Sequence, residues 1–250
     1  MTTRSRNNHI LRAKPNGKIF AFDLETSSLD ANRGHIICAA GKWVGEREFY
    51  TWRIDESENF GTTPASFVDD SAILSGLIPF LEEADAVLAY YGSGFDVPYV
   101  NTRAIINGMP PPVPFTVIDP WKTARSQLKL ARNSMDSVAS AIGSRFSKTH
   151  LPWAKWLLAQ YGDKAAITEL LKYNVNDIKV LEEVYYGLRP LMRNHPYLGR
   201  PVPGNSALRC PSCGNAHTKS HDSRRTKTFE VFRRRCNKCG CAYESHRKKL

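Results

Sequence analysis

A chain of 250 residues with 42% hydrophobic and 24% charged residues has enough apolar surface for one sizeable core and a small appendage, which excludes a disordered or fibrous protein. The net charge of +11 is unevenly spread: residues 200–250 hold 13 basic and 3 acidic residues, a balance of +10, which leaves only +1 for residues 1–199. A near-neutral body with a strongly basic tail points to a polyanion-binding attachment, and no apolar run reaches the length of a membrane span.

Residues 1–17 lack the apolar centre of a signal peptide and read as a loose basic arm on a cytoplasmic protein. KIFAFDLE, residues 18–25, reads as a strand. Side chains two apart share a face, so Asp23 and Glu25 point the same way from its carboxyl end, with Ile19 and Ala21 continuing that face into a core and Phe20, Phe22 and Leu24 opposite. Two like charges at the edge of a buried sheet are costly unless a cation lies between them. Residues 35–44 and 48–54 read as two further strands, an antiparallel meander that starts with the acidic one. Residues 70–83 carry Ile73, Leu74, Leu77, Ile78 and Leu81 at helical spacing, and AVLAYYG, residues 86–92, is a short buried strand. Asp96 opens a helix that tolerates Pro98 in its first turn and stops at Gly108. Another strand over 115–119 is followed by helices over 121–130 and 134–142. The last long helix spans 163–186 with Gly187 as its stop. Ile167, Leu171, Ile178, Leu181 and Tyr185 form its buried stripe, interrupted by Asn174, and Tyr173 lies one turn from Asp177 on an adjoining face. Strand and helix alternation after an antiparallel start predicts an α/β domain with a mixed sheet.

DxE on the first strand, FD at a strand-to-helix junction and YxxxD on the last long helix occur in that order. The constellation resembles the DEDD superfamily of 3′-5′ exonucleases, DnaQ-like nucleases with a ribonuclease H fold, and within it the DEDDy branch. The matching residues are Asp23 and Glu25 in DLET, Asp96 in GFDVPY, and Tyr173 with Asp177 in KYNVND. YNVNDIKVLEEVY and SMDSVASAIGSRFSKTH read like the YNxxD and LxSVAxxLG segments of proteins related to polymerase proofreading domains. Two departures stand out. Tyr91 occupies the place where the family often has Asn before FD, and Lys172 stands where the histidine branch has its base, so Tyr173 selects the tyrosine branch. The resemblance covers residues 18–190. It implies two Mg²⁺ or Mn²⁺ ions about 4 Å apart, a spacing that serves both the attacking and the leaving oxygen. Asp23 would bridge the ions, Glu25 and Asp177 would complete the site that activates water, Asp96 would hold the second ion partly through water, and Tyr173 would orient the attacking water. An unperturbed phenol titrates near 10, which makes positioning rather than general base catalysis its role.

Residues 191–205 contain Pro196, Pro201 and Pro203 and read as a linker to a module over 206–250. There, CPSCG (Cys210 to Gly214) and CNKCG (Cys236 to Gly240) resemble the two knuckles of a zinc ribbon. Cys210, Cys213, Cys236 and Cys239 would close a tetrahedral site around one structural Zn²⁺, which so short a segment needs in order to fold. Cys241 is a further thiol that could replace Cys239, with His217 and His221 as weaker substitutes. TFEVFRRRC and CAYESHR would be the ribbon strands. Arg224, Arg225, Lys227, Arg233, Arg234 and Arg235, among Phe229 and Phe232, suit phosphates and unstacked bases. The expected activity is 3′-5′ exonucleolytic hydrolysis, on single-stranded DNA ends in replication, repair or recombination. RNA as substrate, structure-specific endonuclease action and a non-catalytic nucleic-acid adaptor are the alternatives. The sequence leaves the oligomeric state and any replication or repair partner protein open.

Overall fold

The acidic strand lies in the middle of a five-stranded sheet. The structure, a computed structural model, describes residues 10–193, 195–198 and 209–249. β1 (Ile19–Thr26) pairs antiparallel with β2 (Ile36–Trp43), and β2 with β3 (Tyr50–Arg53). On its other side β1 pairs parallel with β4 (Ala86–Leu88), which pairs parallel with β5 (Val117–Ile118). The order β3-β2-β1-β4-β5, antiparallel on one side of β1 and parallel on the other, is the expected mixed sheet.

β1 is apolar on both faces because both are covered. Ile19 and Ala21 pack with Val180, Leu181 and Val184 of α6 (Lys164–Leu188). Phe20, Phe22 and Leu24 pack with Ile73, Leu74 and Leu77 of α1 (Ser71–Glu83). Phe20 anchors an aromatic group, 5.0 Å from Trp43 and 5.1 Å from Phe80 by ring centroids. Truncating such a buried ring to alanine costs about 3–5 kcal/mol. The remaining helices are α2 (Asp96–Ile106), α3 (Pro120–Gln127), α4 (Met135–Ile142) and α5 (Trp153–Gln160). Side chains cap three helices, Asp119 on Trp121 N, Ser134 on Ser137 N and Asp163 on Ala166 N, each satisfying an otherwise orphaned donor.

Several expected elements need correction. The strand over 86–92 ends at Leu88, before the chain turns at Tyr91 with φ 59°, and that over 115–119 shrinks to Val117–Ile118, which pair with Val87 and Leu88. The helix over 121–130 ends at Gln127, where Leu128 is extended. α5 is not marked by the sequence pattern, since its Trp153 and Leu158 are exposed. Gly187 is no stop: α6 runs through it into a 3-10 turn over Arg189–Leu191. Packing explains the glycine, as a Cβ there would lie 2.7 Å from Ile142 Cδ1. Leu170, rather than the half-buried Leu171, is fully buried in the α6 stripe.

A second sheet of three antiparallel strands, β6 (Thr218–Arg225), β7 (Phe229–Cys236) and β8 (Ala242–Lys249), forms the C-terminal module. β6, TKSHDSRR, is an exposed hydrophilic strand with no apolar alternation to announce it. The module sits against the body. Buried Arg189 donates from Nε to Cys239 O (2.6 Å) and from Nη1 to Ala13 O (2.9 Å), and Gly240 lies directly on Pro190. Nor are residues 10–14 loose, although residues 1–9 lie outside the described part. Arg12 pairs with the buried Glu183, Ser212 Oγ donates to Lys14 O at 2.6 Å, and Leu11 and Ala13 pack on the cysteines. Met192 and His195, within the segment read as a linker, are buried, and the Tyr185 hydroxyl lies 2.9 Å from His195 Nε2. No helix among the described residues is long and apolar enough to cross a membrane.

Candidate active site

β1 continues beyond its parallel neighbour. β4 pairs only with Ile19 to Ala21, so the carboxyl half of β1 has no strand partner on that side. The gap is filled by the turn after β4 and the start of α2, where Asp96 Oδ1 accepts from Leu24 N at 3.3 Å. The chain therefore opens a crevice at the carboxyl end of the central strand, where the sheet changes from antiparallel to parallel, a position that favours ligand sites in open α/β sheets.

Asp23 and Glu25 project into this crevice, and α6 crosses it with Asn174 and Asp177, three apart and so on one helix face. Oxygens of Asp23, Glu25 and Asp177 lie within 4.8 Å of one another. Asp96 is buried beside them but outside this trio, its carboxylate engaged by the Leu24 amide. Tyr173 is half-buried at the edge, its ring 5.4 Å from Lys148 Nζ.

Two residues that the sequence did not single out for the site complete it. Asn174 is fully buried and donates from Nδ2 to Asp23 Oδ2 (2.8 Å) and Glu25 Oε1 (3.5 Å), which orients both carboxylates. Its signal was present: a polar residue interrupting an apolar helical stripe. Lys148, in the irregular segment before α5, pairs with Asp177 Oδ2 at 2.6 Å, beside the Tyr173 ring. It lies in the SMDSVASAIGSRFSKTH segment, past the part that matches LxSVAxxLG, so the matching pattern does not mark it.

The electrostatics are those of anions held without enough counter-charge. Burial and then the neighbouring Asp96 and Glu25 push Asp23 well above the usual carboxylate range. Burial and the charge of Asp177 raise Glu25 to about 8, and burial raises Asp96 to about 7 against the opposing backbone hydrogen bonds. Asp177 is raised by burial although Lys148 opposes it, and Tyr173 is raised by burial and by Asp177, which keeps its phenol neutral. Asp177 Oδ1 is buried with no hydrogen-bond partner. Raised carboxylates, an orphaned oxygen and an all-oxygen trio fit a hard divalent cation such as Mg²⁺ or Mn²⁺. Beside the trio is a cavity of about 480 Å³ lined by Asp23, Tyr91, Trp121, Lys148 and Asp177. A second cleft of about 510 Å³ is lined by Glu25, Leu29, Phe95, Trp153 and Trp156.

In the C-terminal module, sulfurs of Cys210, Cys213, Cys236 and Cys239 lie within 4.8 Å of one another. Cys210 and Cys239 are 3.6 Å apart and Cys213 and Cys236 3.7 Å. Tetrahedral zinc with Zn–S bonds of about 2.3 Å separates its sulfurs by roughly 3.8 Å, so the cluster fits a structural Zn²⁺. For Cys236, burial raises the thiol, but hydrogen bonds from the Cys239 amide, Asn215 and the Lys238 amide prevail and bring it to about 7. Cys241 lies outside the four, buried next to Cys210 and Cys239. His217 and His221 are not part of it either. Of the basic residues, Arg224, Arg225 and Lys227 are exposed. Arg233, Arg234 and Arg235 are half-buried and engaged internally: Arg233 lies 4.5 Å from the Tyr197 ring centroid, Arg234 Nε donates to Thr218 Oγ1 at 2.8 Å, and Arg235 Nη2 donates to Arg193 O at 3.4 Å.

No curated protein matches the chain. Among solved structures, it is similar to the family B DNA polymerase from the hyperthermophilic archaeon Pyrobaculum calidifontis, with a TM-score of 0.56 and 21% sequence identity over 70% of this chain. It spans only 25% of that polymerase, so the likeness is one of fold. A family model described as the RNase_H superfamily matches residues 20–189, from β1 to the end of α6. That match contains the whole carboxylate site, and the chain belongs to the RNase H superfamily.

Proposed function

We propose that this chain is a metal-dependent 3′-5′ exonuclease that hydrolyses phosphodiester bonds at single-stranded DNA ends, with Asp23, Glu25, Asp96, Tyr173 and Asp177 as its site residues. The reading rests above all on the convergence of Asp23, Glu25 and Asp177, one carboxylate oxygen of each within 4.8 Å of the others, while Asp177 Oδ1 is buried without a hydrogen-bond partner. Asp23, Glu25 and Asp177 would hold divalent cations, with Asp96 as an outer partner, and such cations stabilise charge on the attacking and leaving oxygens of the phosphate. Asn174 keeps the Asp23 and Glu25 carboxylates aimed into the crevice. Lys148 restrains Asp177 beside the Tyr173 ring, and the neutral phenol orients the attacking water rather than removing its proton. Superfamily membership supports a nuclease. The 3′-5′ direction and the single-stranded DNA preference are supported by the order of the DxE, FD and YxxxD segments.

In this reading residues 18–190 form the nuclease domain and residues 206–250 a zinc ribbon whose basic surface holds nucleic acid, in a cytoplasmic protein of replication or repair. The test is an end-labelled single-stranded DNA and its RNA counterpart incubated with Mg²⁺ or Mn²⁺. A ladder that shortens from the 3′ end, lost by on the order of 10³-fold in Asp23→Asn because several kcal/mol of charge stabilisation disappear, is the expected result. Internal cuts would favour an endonuclease, degradation of RNA alone an exoribonuclease, and binding without cleavage in every metal an adaptor.

A further inference from the structure

The turn between β4 and α2 carries a feature that the carboxylate chemistry does not require. Tyr91 is the only non-glycine residue with positive φ among the described residues, at 59°. A bulky residue pays for this left-handed conformation, whereas glycine would adopt it freely. Strain of this kind persists where the surroundings over-determine it, and clusters at functional sites. Here the restraint is Asp119: its Oδ1 accepts from Tyr91 N (2.9 Å) and from Trp121 N (3.0 Å), and its Oδ2 accepts from Ser93 Oγ (2.8 Å). One carboxylate thus fixes the backbone of both aromatic residues.

Their rings meet edge to face, with centroids 4.7 Å apart and planes at 67°. Gly94 makes room for this, since a Cβ on it would lie 2.5 Å from Tyr91 Cζ. With Gly94 and Trp121 both against its ring, Tyr91 still stays 46% exposed. Both residues line the cavity that also holds Asp23, Lys148 and Asp177. The exposed Arg125 guanidinium lies over the Trp121 ring, 5.1 Å from its centroid, which leaves the exposed Tyr91 ring as the main open surface and puts a cation next to it. An exposed aromatic ring next to a cation is what a single strand needs, a surface for a base and a charge for its phosphate.

We propose that Tyr91 and Trp121 form a stacking platform for one unpaired nucleobase of the substrate at the mouth of the catalytic cavity, with Arg125 against the adjoining phosphate. This rests on the nuclease reading above. It explains why a tyrosine stands where the resemblance leads one to expect asparagine: the position recognises a base by its face, without regard to sequence.

The test uses the full chain carrying Asp23→Asn, so that binding is measured without cleavage, and a fluorescein-labelled single-stranded oligonucleotide read by anisotropy. Tyr91→Gly, which removes the ring without a backbone penalty, should weaken binding at least about fivefold, and Tyr91→Phe should restore it. A single abasic site moved along the strand should find one position at which the parent loses affinity by the factor that Tyr91→Gly costs. At that position Tyr91→Gly should cost nothing further. Equal binding by Tyr91→Gly and its parent would overturn the platform, as would a Tyr91→Gly loss that adds equally at every abasic position. The abasic scan of the parent needs no substitution at 91, and a profile with no sensitive position overturns the proposal whether or not Tyr91→Gly folds. A parent that binds no strand at all would instead remove the nuclease reading on which the platform stands.

Discussion

The two clusters of ligand atoms stand in opposite relations to the fold around them. Asp23 and Asn174, which meet in the carboxylate site, are 151 residues apart, whereas Cys210 and Cys239 are separated by 29. The carboxylates are carried by β1 and α6, whose apolar faces pack fully without any ion through Ile19, Ala21, Val180 and Val184. Among the described residues, Leu11 and Ala13 pack partly buried against the thiols, and the strand that leads away from them, β6, is almost wholly exposed. In the body the fold holds the ligands, and their mutual repulsion is a cost that it absorbs. In the ribbon the ligands must hold the fold.

The largest effect should follow from breaking the second relation. Structural zinc contributes an apparent 10–16 kcal/mol or so in comparable small modules. Chelation, or Cys210→Ser, should therefore abolish amide protection over β6, β7 and β8 in hydrogen exchange, with about one zinc per chain lost on metal analysis. β1 to β5 should keep their protection, because their cores contain no thiol ligand. A smaller loss should reach residues 10–14 and the end of α6, which the ribbon contacts through Ser212 and Arg189. Protection of the ribbon that survives complete chelation would refute the contrast.

The body should respond to metal by degree rather than all or none, and with a sign set by its carboxylates. Glu25 is raised to about 8 and Asp96 to about 7, so in the range between ordinary carboxylate values and these the folded chain holds protons that the unfolded chain has released. More protons bound in the folded state means that stability without metal falls as pH rises from about 4 through 8. Divalent cations compete for the same oxygens, so Mn²⁺ should raise the melting temperature of the body more at pH 8 than at pH 6. At a hundredfold excess over its dissociation constant the gain is about 2.7 kcal/mol, roughly 5–10 °C for a chain of this size. Asp23→Asn should shrink that gain. An Mn²⁺ effect that is larger at pH 6 would contradict the proton-linked account.

How much of this could be read beforehand differs between the same two regions. The mixed character of the sheet and its antiparallel start were legible from strand and helix spacing, Asp23, Glu25 and Asp177 from the order of their segments, and the four cysteines because knuckle spacing is short-range. Lys148 was not, since its meaning arises only when an irregular segment brings its ammonium group to Asp177. Asn174 was half legible, as an interruption whose partner lies on a distant strand. Tyr91 was visible as a departure, but its strained backbone and its contact with Trp121 depend on Asp119, which belongs to another element. In the ribbon, counting arginines could not separate those facing solvent from those spent on internal contacts with Thr218, Tyr197 and the Arg193 carbonyl.

That last distinction yields the smallest expected effect and the finest division of labour. Arg224, Arg225 and Lys227 surround the exposed β6–β7 turn, while Arg234 braces Thr218 of β6 from within β7. Each phosphate contact on a single strand contributes about 0.7 to the slope of log affinity against log salt. Replacing the three exposed residues by alanine should lower that slope by up to about 2 and leave the melting of the ribbon close to its original value. Arg234→Ala should do the reverse, moving ribbon stability more than the slope, because it removes two hydrogen bonds to Thr218. The measurement is a salt titration of oligonucleotide binding beside a thermal melt of each variant. Should the slope stay unchanged in the triple variant, the phosphate contacts belong to the body, near Arg125 and Lys148, and the ribbon's charge serves something other than the strand being cut.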